Sequence, residues 1–412
     1  MYNVGFGDCF LVRIPGPQGD LKVLFDCGTI SAVHPMAEIV EQVTKDVTEA
    51  DGVPRIDVVV GTHRHRDHVS GFANALWAQV EVREVWMPWT EHPTDSEARR
   101  IRETQSRLAA LLATTYGGRL QGAIDSDRAA LERYEQLALN ALTNEAAMLT
   151  LHGGFAKAPL RRYLPSPMVN AATPDTKYET EFETDILPGV KVHVMGPSRD
   201  IEVIRDMDPP AGQSYLQSLD LMADGSASPP PNPFRSDWWV EPGEYGSLSP
   251  HLVLNDSDKS TMKNFDLAME HAAAVSLDKA VNGTSLMLML QIGDLFLLFP
   301  GDAQWGTWQA ALRNPNSRDL LKRTTFYKIG HHGSHNATPV EFIEKTVHDN
   351  FWAMVSTGAV PQWPLIPRKP LLEAIGRRTK KVTRSDELPL VGEGATANGD
   401  LYADTTIPFT AR

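Results

Sequence analysis

Apolar and polar positions follow three different rhythms along the chain. In residues 1–90 short apolar runs are broken by turn residues. FLVRI and LKVLFDCG flank the turn-rich PGPQGD, which predicts a hairpin, with the first strand starting almost at Met1. PMAEIVEQVTKDVT (35–48) has helical spacing, with Ile39, Val43 and Val47 near one face. The strand IDVVV, a helix-like VSGFANALWAQV and a short strand EVREVWMP follow. From 94 to 150 the pattern turns helical. TDSEARRIRETQSRLAALLATTYGG and SDRAALERYEQLALNALTNEAAM are periodic and rich in Ala, Leu, Glu and Arg. Ser and Asp at their starts suit N-caps, and Gly117-Gly118 suits a stop, so a helical hairpin is expected as an insertion.

Strands return at VKVHVMGP. Residues 206–260, with Pro209-Pro210, Pro229–Pro231 and Pro233 among Ser and Gly, predict a long surface loop or lid. TSLMLMLQIGDLFLLFPGD is two apolar runs around QIGD, a β-hairpin. TTFYKIGHHGS and NFWAMVSTG add two buried strands, PLLEAIGRRTKKVTRSDE a basic helix and turn, and a weak strand pair ends the chain. No internal repeat is visible. The whole of 1–412 is expected to form one α/β domain carrying the insertion and the loop.

Composition narrows the class. Hydrophobic residues make up 42% of 412, enough for a large core. No apolar stretch approaches the ~18 residues of a membrane span, and MYNVGFGDCFLVRIPG lacks the pattern of a signal peptide, so a cytoplasmic protein without membrane partners is expected. Cys9 and Cys27 are too few for a disulfide framework and read as two buried thiols. The formal charge of −13 argues against non-specific nucleic-acid binding by the surface as a whole. A phosphate-bearing substrate would need a local basic patch or metal ions.

The segment GTHRHRDHVSG (61–71) changes the picture. Six of the 13 histidines fall in two short segments: His63, His65 and His68, then His331, His332 and His335. A tight loop after a buried strand brings His63 and His65 to one place, and Asp67 and His68 start the next helix, pointing back at it. Imidazoles and a carboxylate suit Zn²⁺ or a similar divalent ion. One ion cannot use all four groups and stay open for chemistry. Two could, if another carboxylate bridged them, and Asp302 and His331/His332 stand at strand ends to serve.

LFDCG, THRHRDH, FPGD and HHGS, in that order, resemble the metallo-β-lactamase fold. NVGFGDCFLV, NGTS (282–285), LFPGDA and KIGHHGSHNAT narrow the resemblance to the soluble metallohydrolase domain of the ComEC/Rec2 DNA-uptake proteins and its stand-alone relatives. The resemblance spans nearly all of the chain outside the insertion and the Pro-rich loop. It implies an αββα sandwich in which His63 and His65 hold one metal, Asp67 and His68 a second, and Asp302 bridges. His331 or His332 completes the second site, the His-Gly order favouring His332, and Asp26 orders the histidine loop from behind. Where many members of the superfamily supply a third first-site histidine, this chain has Asn282 and Ser285, which leaves the metal open between Zn²⁺ and Mn²⁺. A His-Pro common in the narrower group is replaced by PQWPLIPRKP.

Two such ions would supply an activated water at neutral pH and stabilise charge on a phosphoryl or carbonyl oxygen. The resemblance implies phosphodiester hydrolysis, with DNA or RNA as the substrate. Asp67 or the non-ligand histidine of the 331–332 pair would move the leaving-group proton, and Asn282, Ser285 and Ser334 would hold an oxyanion or phosphate. Arg368, Lys369, Arg377, Arg378, Lys380, Lys381 and Arg384 offer a basic patch to guide a nucleic acid. The alternatives are hydrolysis of a cyclic amide, lactone or thioester, and a metal-stabilised binding or scaffold role. His152 and His251 are further candidates for the missing first-site ligand.

Overall fold

The computed structural model describes residues 1–17, 19–121, 125–142, 144–167, 178–210, 212–215, 276–360 and 363–409. Most of the Pro-rich stretch 206–260, and His251 with it, lies outside the described residues. The chain is a mixed α/β protein built on two large sheets. The first has the order β1 (Phe10–Ile14), β2 (Leu21–Phe25), β3 (Arg55–Val60), β4 (Glu81–Pro88), β5 (Leu160–Leu164); β1–β2 is antiparallel and the rest parallel. The second contains β6 (Glu181–Glu183), β7 (Val190–Gly196), β8 (Met287–Ile292), β9 (Leu295–Phe299), β10 (Phe326–Lys328), β11 (Trp352–Val355) and β12 (Val382–Arg384) in sequence order across the sheet. Its β6–β9 half is antiparallel and its β9–β12 half parallel. A small pair, Ala395–Asn398 with Tyr402–Thr405, stands apart.

The sheets share one core. Phe25, Val58, Val60 and Trp86 of the first pack in the same cluster as Leu288, Leu290, Leu297 and Phe299 of the second. Phe25 and Phe299 stack with centroids 3.9 Å apart. A strand buried on both faces reads as an unbroken apolar run, as in LFLLF. Helices cover the outer faces. α1 (Met36–Val47) lays Ile39, Val40, Val43 and Val47 on the first sheet. Beyond α2 (Arg66–Val69), α3 (Ser96–Leu120) and α4 (Asp125–Leu142) pack together as the expected helical hairpin, and α5 (Glu145–Gly153) follows. After α6 (Ile201–Arg205), α7 (Trp305–Arg313), α8 (Pro315–Lys322) and α9 (Lys369–Arg378) cover the second sheet through Trp308, Leu312, Leu321, Leu371 and Ile375.

Three expectations fail locally. Gly117-Gly118 does not stop α3, which runs through both to Leu120. No strand begins at Met1: residues 1–9 make only the isolated bridges Tyr2–Tyr402 and Phe6–Ser31. Gly5, at φ +80°, turns the chain there. VSGFANALWAQV is not one helix but the end of α2 and two 3₁₀ turns, Ser70–Ala73 and Ala75–Gln79. Asn74 separates them; its backbone is extended and its side chain accepts from Leu76 N, competing with a continuous helix.

Candidate metal centre

The candidate residues come from the C-terminal ends of strands in both sheets. Asp26 follows β2, His63 and His65 follow β3, Asp302 follows β9, and His331 and His332 follow β10. Crevices outside the carboxyl ends of parallel strands are where open α/β sheets bind ligands. The loops are held in costly conformations. Asp26 (φ 54°), His331 (φ 46°) and His332 (φ 52°) are all left-handed, which persists in non-glycine residues only when the surroundings impose it. Gly28 lets α2 press against the loop after β2: a Cβ there would lie 2.5 Å from the carbonyl carbon of His68.

Four ligand-type side chains, Asp67, His68, Asp302 and His332, are buried with one ligand atom each, all within 4.8 Å of one another, and could hold a metal ion. His68 Nε2 lies 3.1 Å from Asp302 Oδ2, and His332 Nε2 lies 3.1 Å from Asp67 Oδ2. His68 Nε2 and both oxygens of Asp302 make no hydrogen bond among the described residues, so they face one another without satisfying one another. Beside them, His63 Nε2 and His65 Nδ1 stand 3.2 Å apart.

The far nitrogens of three rings explain which atoms face inward. Thr62 Oγ1 donates to Asp26 Oδ2 (2.6 Å) and so accepts from His63 Nδ1 (3.2 Å). His68 Nδ1 donates to Asp26 Oδ2 (2.8 Å), and His332 Nδ1 to the carbonyl of Ser356 (2.9 Å). Each bond fixes Nδ1 as a proton-bearing nitrogen turned outward and directs Nε2 at the cluster, as carbonyls and carboxylates do behind metal-ligating histidines. Asp26 also accepts from Thr62 N (2.8 Å), so the expected role behind the histidine loop has a geometric basis.

Electrostatics agree with a cation site. Burial opposes protonation of His68, yet Asp302, Asp67 and Asp26 hold it well above the ordinary imidazole range. His332 is raised in the same way by Asp8 and Asp67 against burial. Asp67 and Asp302 stay well below the carboxylate range, because the surrounding histidines outweigh their burial. Burial lowers His63 well below its usual value and His65 to about 4, so both rings are neutral at pH 7.

The other sequence candidates take distinct places. His331 is farther out, Nε2 3.6 Å from Asp302 Oδ2, and burial keeps it neutral. Asn282 Oδ1 lies 2.8 Å from His65 Nδ1, on the side of the His63–His65 pair. Ser285 is fully buried, its hydroxyl making no hydrogen bond among the described residues, and Ser334 donates to Asn336 Oδ1 at 2.8 Å. His152 is away from the cluster, bonded to Tyr163 at 3.1 Å. The basic segment is mostly neutralised. Lys369, Arg377, Arg378 and Arg384 pair with acidic side chains, Lys381 sits 3.6 Å over the Trp352 ring, and Arg368 is buried.

Three residues at the cluster had no role assigned from sequence. Asp8 and Lys328 form a fully buried ion pair, with Asp8 3.5 Å from His68 Nδ1 and Lys328 3.9 Å from Asp302 Oδ1. Their signals were present, in NVGFGD and in the Lys of YKIGHHGS. Asp278 Oδ1 lies 3.7 Å from His65 Nε2, and its other oxygen accepts from Asn282 Nδ2 at 3.3 Å. Burial, with Asp67 and Asp302 nearby, pushes Asp278 up to about 8. Nothing in SLDKAVN marks that aspartate; only the fold brings it there.

A scan against protein-family models and a search of the curated proteins each find no match for the chain.

Proposed function

We propose that the chain is a metal-dependent hydrolase of the metallo-β-lactamase type, cleaving phosphodiester bonds at a two-metal site. The observation that carries this reading is the inward-facing set of buried ligand atoms, Nε2 of His68 and His332 with the carboxylates of Asp67 and Asp302, beside the His63–His65 pair. Two facing sheets with helices outside, and ligands at strand ends, fit an αββα sandwich. Divalent ions at such a site, Zn²⁺ or Mn²⁺, would lower the pKa of water and polarise a phosphoryl oxygen. His63 and His65 would hold one ion and Asp67, His68 and His332 the other, with Asp302 available to either. His331, neutral and 15% exposed, is the group best placed to move a leaving-group proton, since Asp67 is committed to ligand geometry.

A purely structural metal site tends to be Cys-rich, whereas the candidate ligands here are histidines and aspartates. Among the described residues, the apolar cavity of about 600 Å³ between β1 and β8–β11 has no candidate ligand in its wall.

The test is a paired assay of wild type and Asp302→Ala, loaded separately with Zn²⁺ and Mn²⁺. Both are tested on bis(p-nitrophenyl) phosphate and on labelled single- and double-stranded DNA. Metal-dependent cleavage by the wild type that Asp302→Ala loses is the expected result. Stoichiometric metal with no phosphodiester cleavage would sink it.

A further inference from the structure

The helical insertion meets the histidine loop at two backbone groups, one on each side of His65. Asn140, buried in the last turn of α4, accepts from Arg66 N at 2.9 Å through Oδ1. Asn144, also buried, donates from Nδ2 to the Arg64 carbonyl at 2.6 Å and to the Asn140 carbonyl at 2.9 Å. These backbone partners fix which way each amide points, because an N–H needs an oxygen and a carbonyl needs a donor.

Both bonds stand where a local one is missing. His65 is the N-cap of α2, a position where Ser, Thr, Asp or Asn normally accepts from the free N–H groups of the first turn. The His65 side chain makes no cap bond and is turned to His63 and Asn282 instead. Asn140 gives the first residue of α2 an acceptor from another helix. Asn144 is the N-cap of α5, and asparagine is among the best residues for capping its own helix. It makes no such bond, and its Oδ1 has no partner among the described residues. Its amide serves the histidine loop.

The insertion also reaches the His65 ring. Asn140 hydrogen-bonds Asp278, Asp278 Oδ2 accepts from Asn282 Nδ2 at 3.3 Å, and Asn282 Oδ1 lies 2.8 Å from His65 Nδ1. Leu277 and Val281 of the same segment pack with Ala109, Leu112 and Leu137 of the helical hairpin. Gln105 on α3 donates to the Ala280 carbonyl at 3.3 Å. One element therefore holds both the backbone around His65 and the groups beside its ring.

We propose that the helical insertion is a clamp on the metal centre, with Asn140 and Asn144 as positioning residues that fix His65 for a cation. The proposal rests on the metal-binding reading of the cluster. The two asparagines act through the backbone at Arg64 and Arg66, and Asn140 also through Asp278 and Asn282.

The test has two readouts on the full chain. Calorimetric titration with Zn²⁺ should show Asn140→Ala and Asn144→Leu weakening binding about 10- to 100-fold, the range for losing a partner behind a metal ligand. Glu84→Gln removes a buried carboxylate bonded to Arg162, Trp86 and Thr184, outside the cluster, and should leave the affinity unchanged. Lost stability alone then does not explain the two asparagine variants. The second readout is hydrogen exchange of the Arg66 amide in the metal-free chain. Asn140→Ala should remove its protection, while Asn140→Asp, which keeps an acceptor there, should retain it. Arg66 exchange in Asn140→Ala equal to wild type overturns the clamp, as does a Zn²⁺ affinity that both asparagine variants leave unchanged. A wild type that binds no Zn²⁺ removes the metal centre instead, and the exchange comparison, which needs no metal, then decides the clamp by itself.

Discussion

His331 and His332 are neighbours in sequence with opposite environments. His332 is fully buried, its Nδ1 fixed by the Ser356 carbonyl and its Nε2 on Asp67, whereas His331 reaches only 3.6 Å from Asp302 and keeps some solvent contact. Two successive left-handed residues turn the two rings apart, their planes 66° to one another. On the proposed metal-site reading, His332→Ala should therefore weaken metal binding by more than ~100-fold, beyond the ~10–100-fold that losing an outer-shell partner costs. His331→Ala should leave metal affinity within about 10-fold while lowering turnover. Isothermal titration with Zn²⁺ reads both, and equal losses in the two variants would contradict the assignment. From sequence the two histidines could not be separated beyond a preference for the His-Gly member, because one left-handed turn decides which ring is buried.

At the scale of elements, β4 and β5 are joined by more than their ladder. Glu84 on β4 takes a fork of two hydrogen bonds from Arg162 on β5 (2.8 and 3.0 Å), one from Trp86 Nε1 (2.7 Å) and one from Thr184 beyond β6 (3.3 Å). Burial opposes ionisation of Glu84, but Arg162 and Trp86 outweigh it and lower its pKa. A folded value below the unfolded one means that the unfolded chain binds more protons, so this contribution to stability rises with pH. It is complete above the unfolded glutamate value of ~4.3 and is lost as pH falls through the lowered folded value. Glu84→Gln should cost about 2 kcal/mol at pH 7, less than the ~3–5 of a fully buried broken pair because Arg162 is 30% exposed. Urea unfolding at pH 7 and near pH 3 checks this; a gap between variant and wild type that stays constant with pH would exclude the mechanism. The long periodic segments of this level, α1, α3, α4 and the β8–β9 hairpin, are legible in the chain. β5 (LRRYL) and β6 (EFE) are not, since one is largely polar and the other three residues long, and neighbours rather than pattern make them strands.

At the scale of the molecule, the cluster joins the two sheets. Asp26, His63, His65, Asp67 and His68 come from the side of the first sheet; Asp302, His331 and His332 come from the second. A cation held between them binds the folded chain and not the unfolded one, so it should add about 2.7 kcal/mol of stability at 100 times its dissociation constant. Thermal unfolding with added Zn²⁺ or Mn²⁺ should move upward, EDTA should reverse the shift, and Asp302→Ala should abolish the response. A melting temperature indifferent to both metal and chelator would show that no ion bridges the sheets. No helix among the described residues is long and apolar enough to cross a membrane.

The chain by itself determined the set of candidate ligands and the strand ends that carry them. Short-range patterns such as H-x-H-x-D-H after IDVVV are written in consecutive residues and need no partner to be read. Only the tertiary structure decided which atoms meet. It turned His332 rather than His331 inward, and it brought Asp278 to His65 and Lys328 to Asp8. It paired most of the C-terminal basic segment with acidic side chains. These contacts join residues tens to hundreds of positions apart, and local pattern carries no information about which distant side chain a buried charge will find.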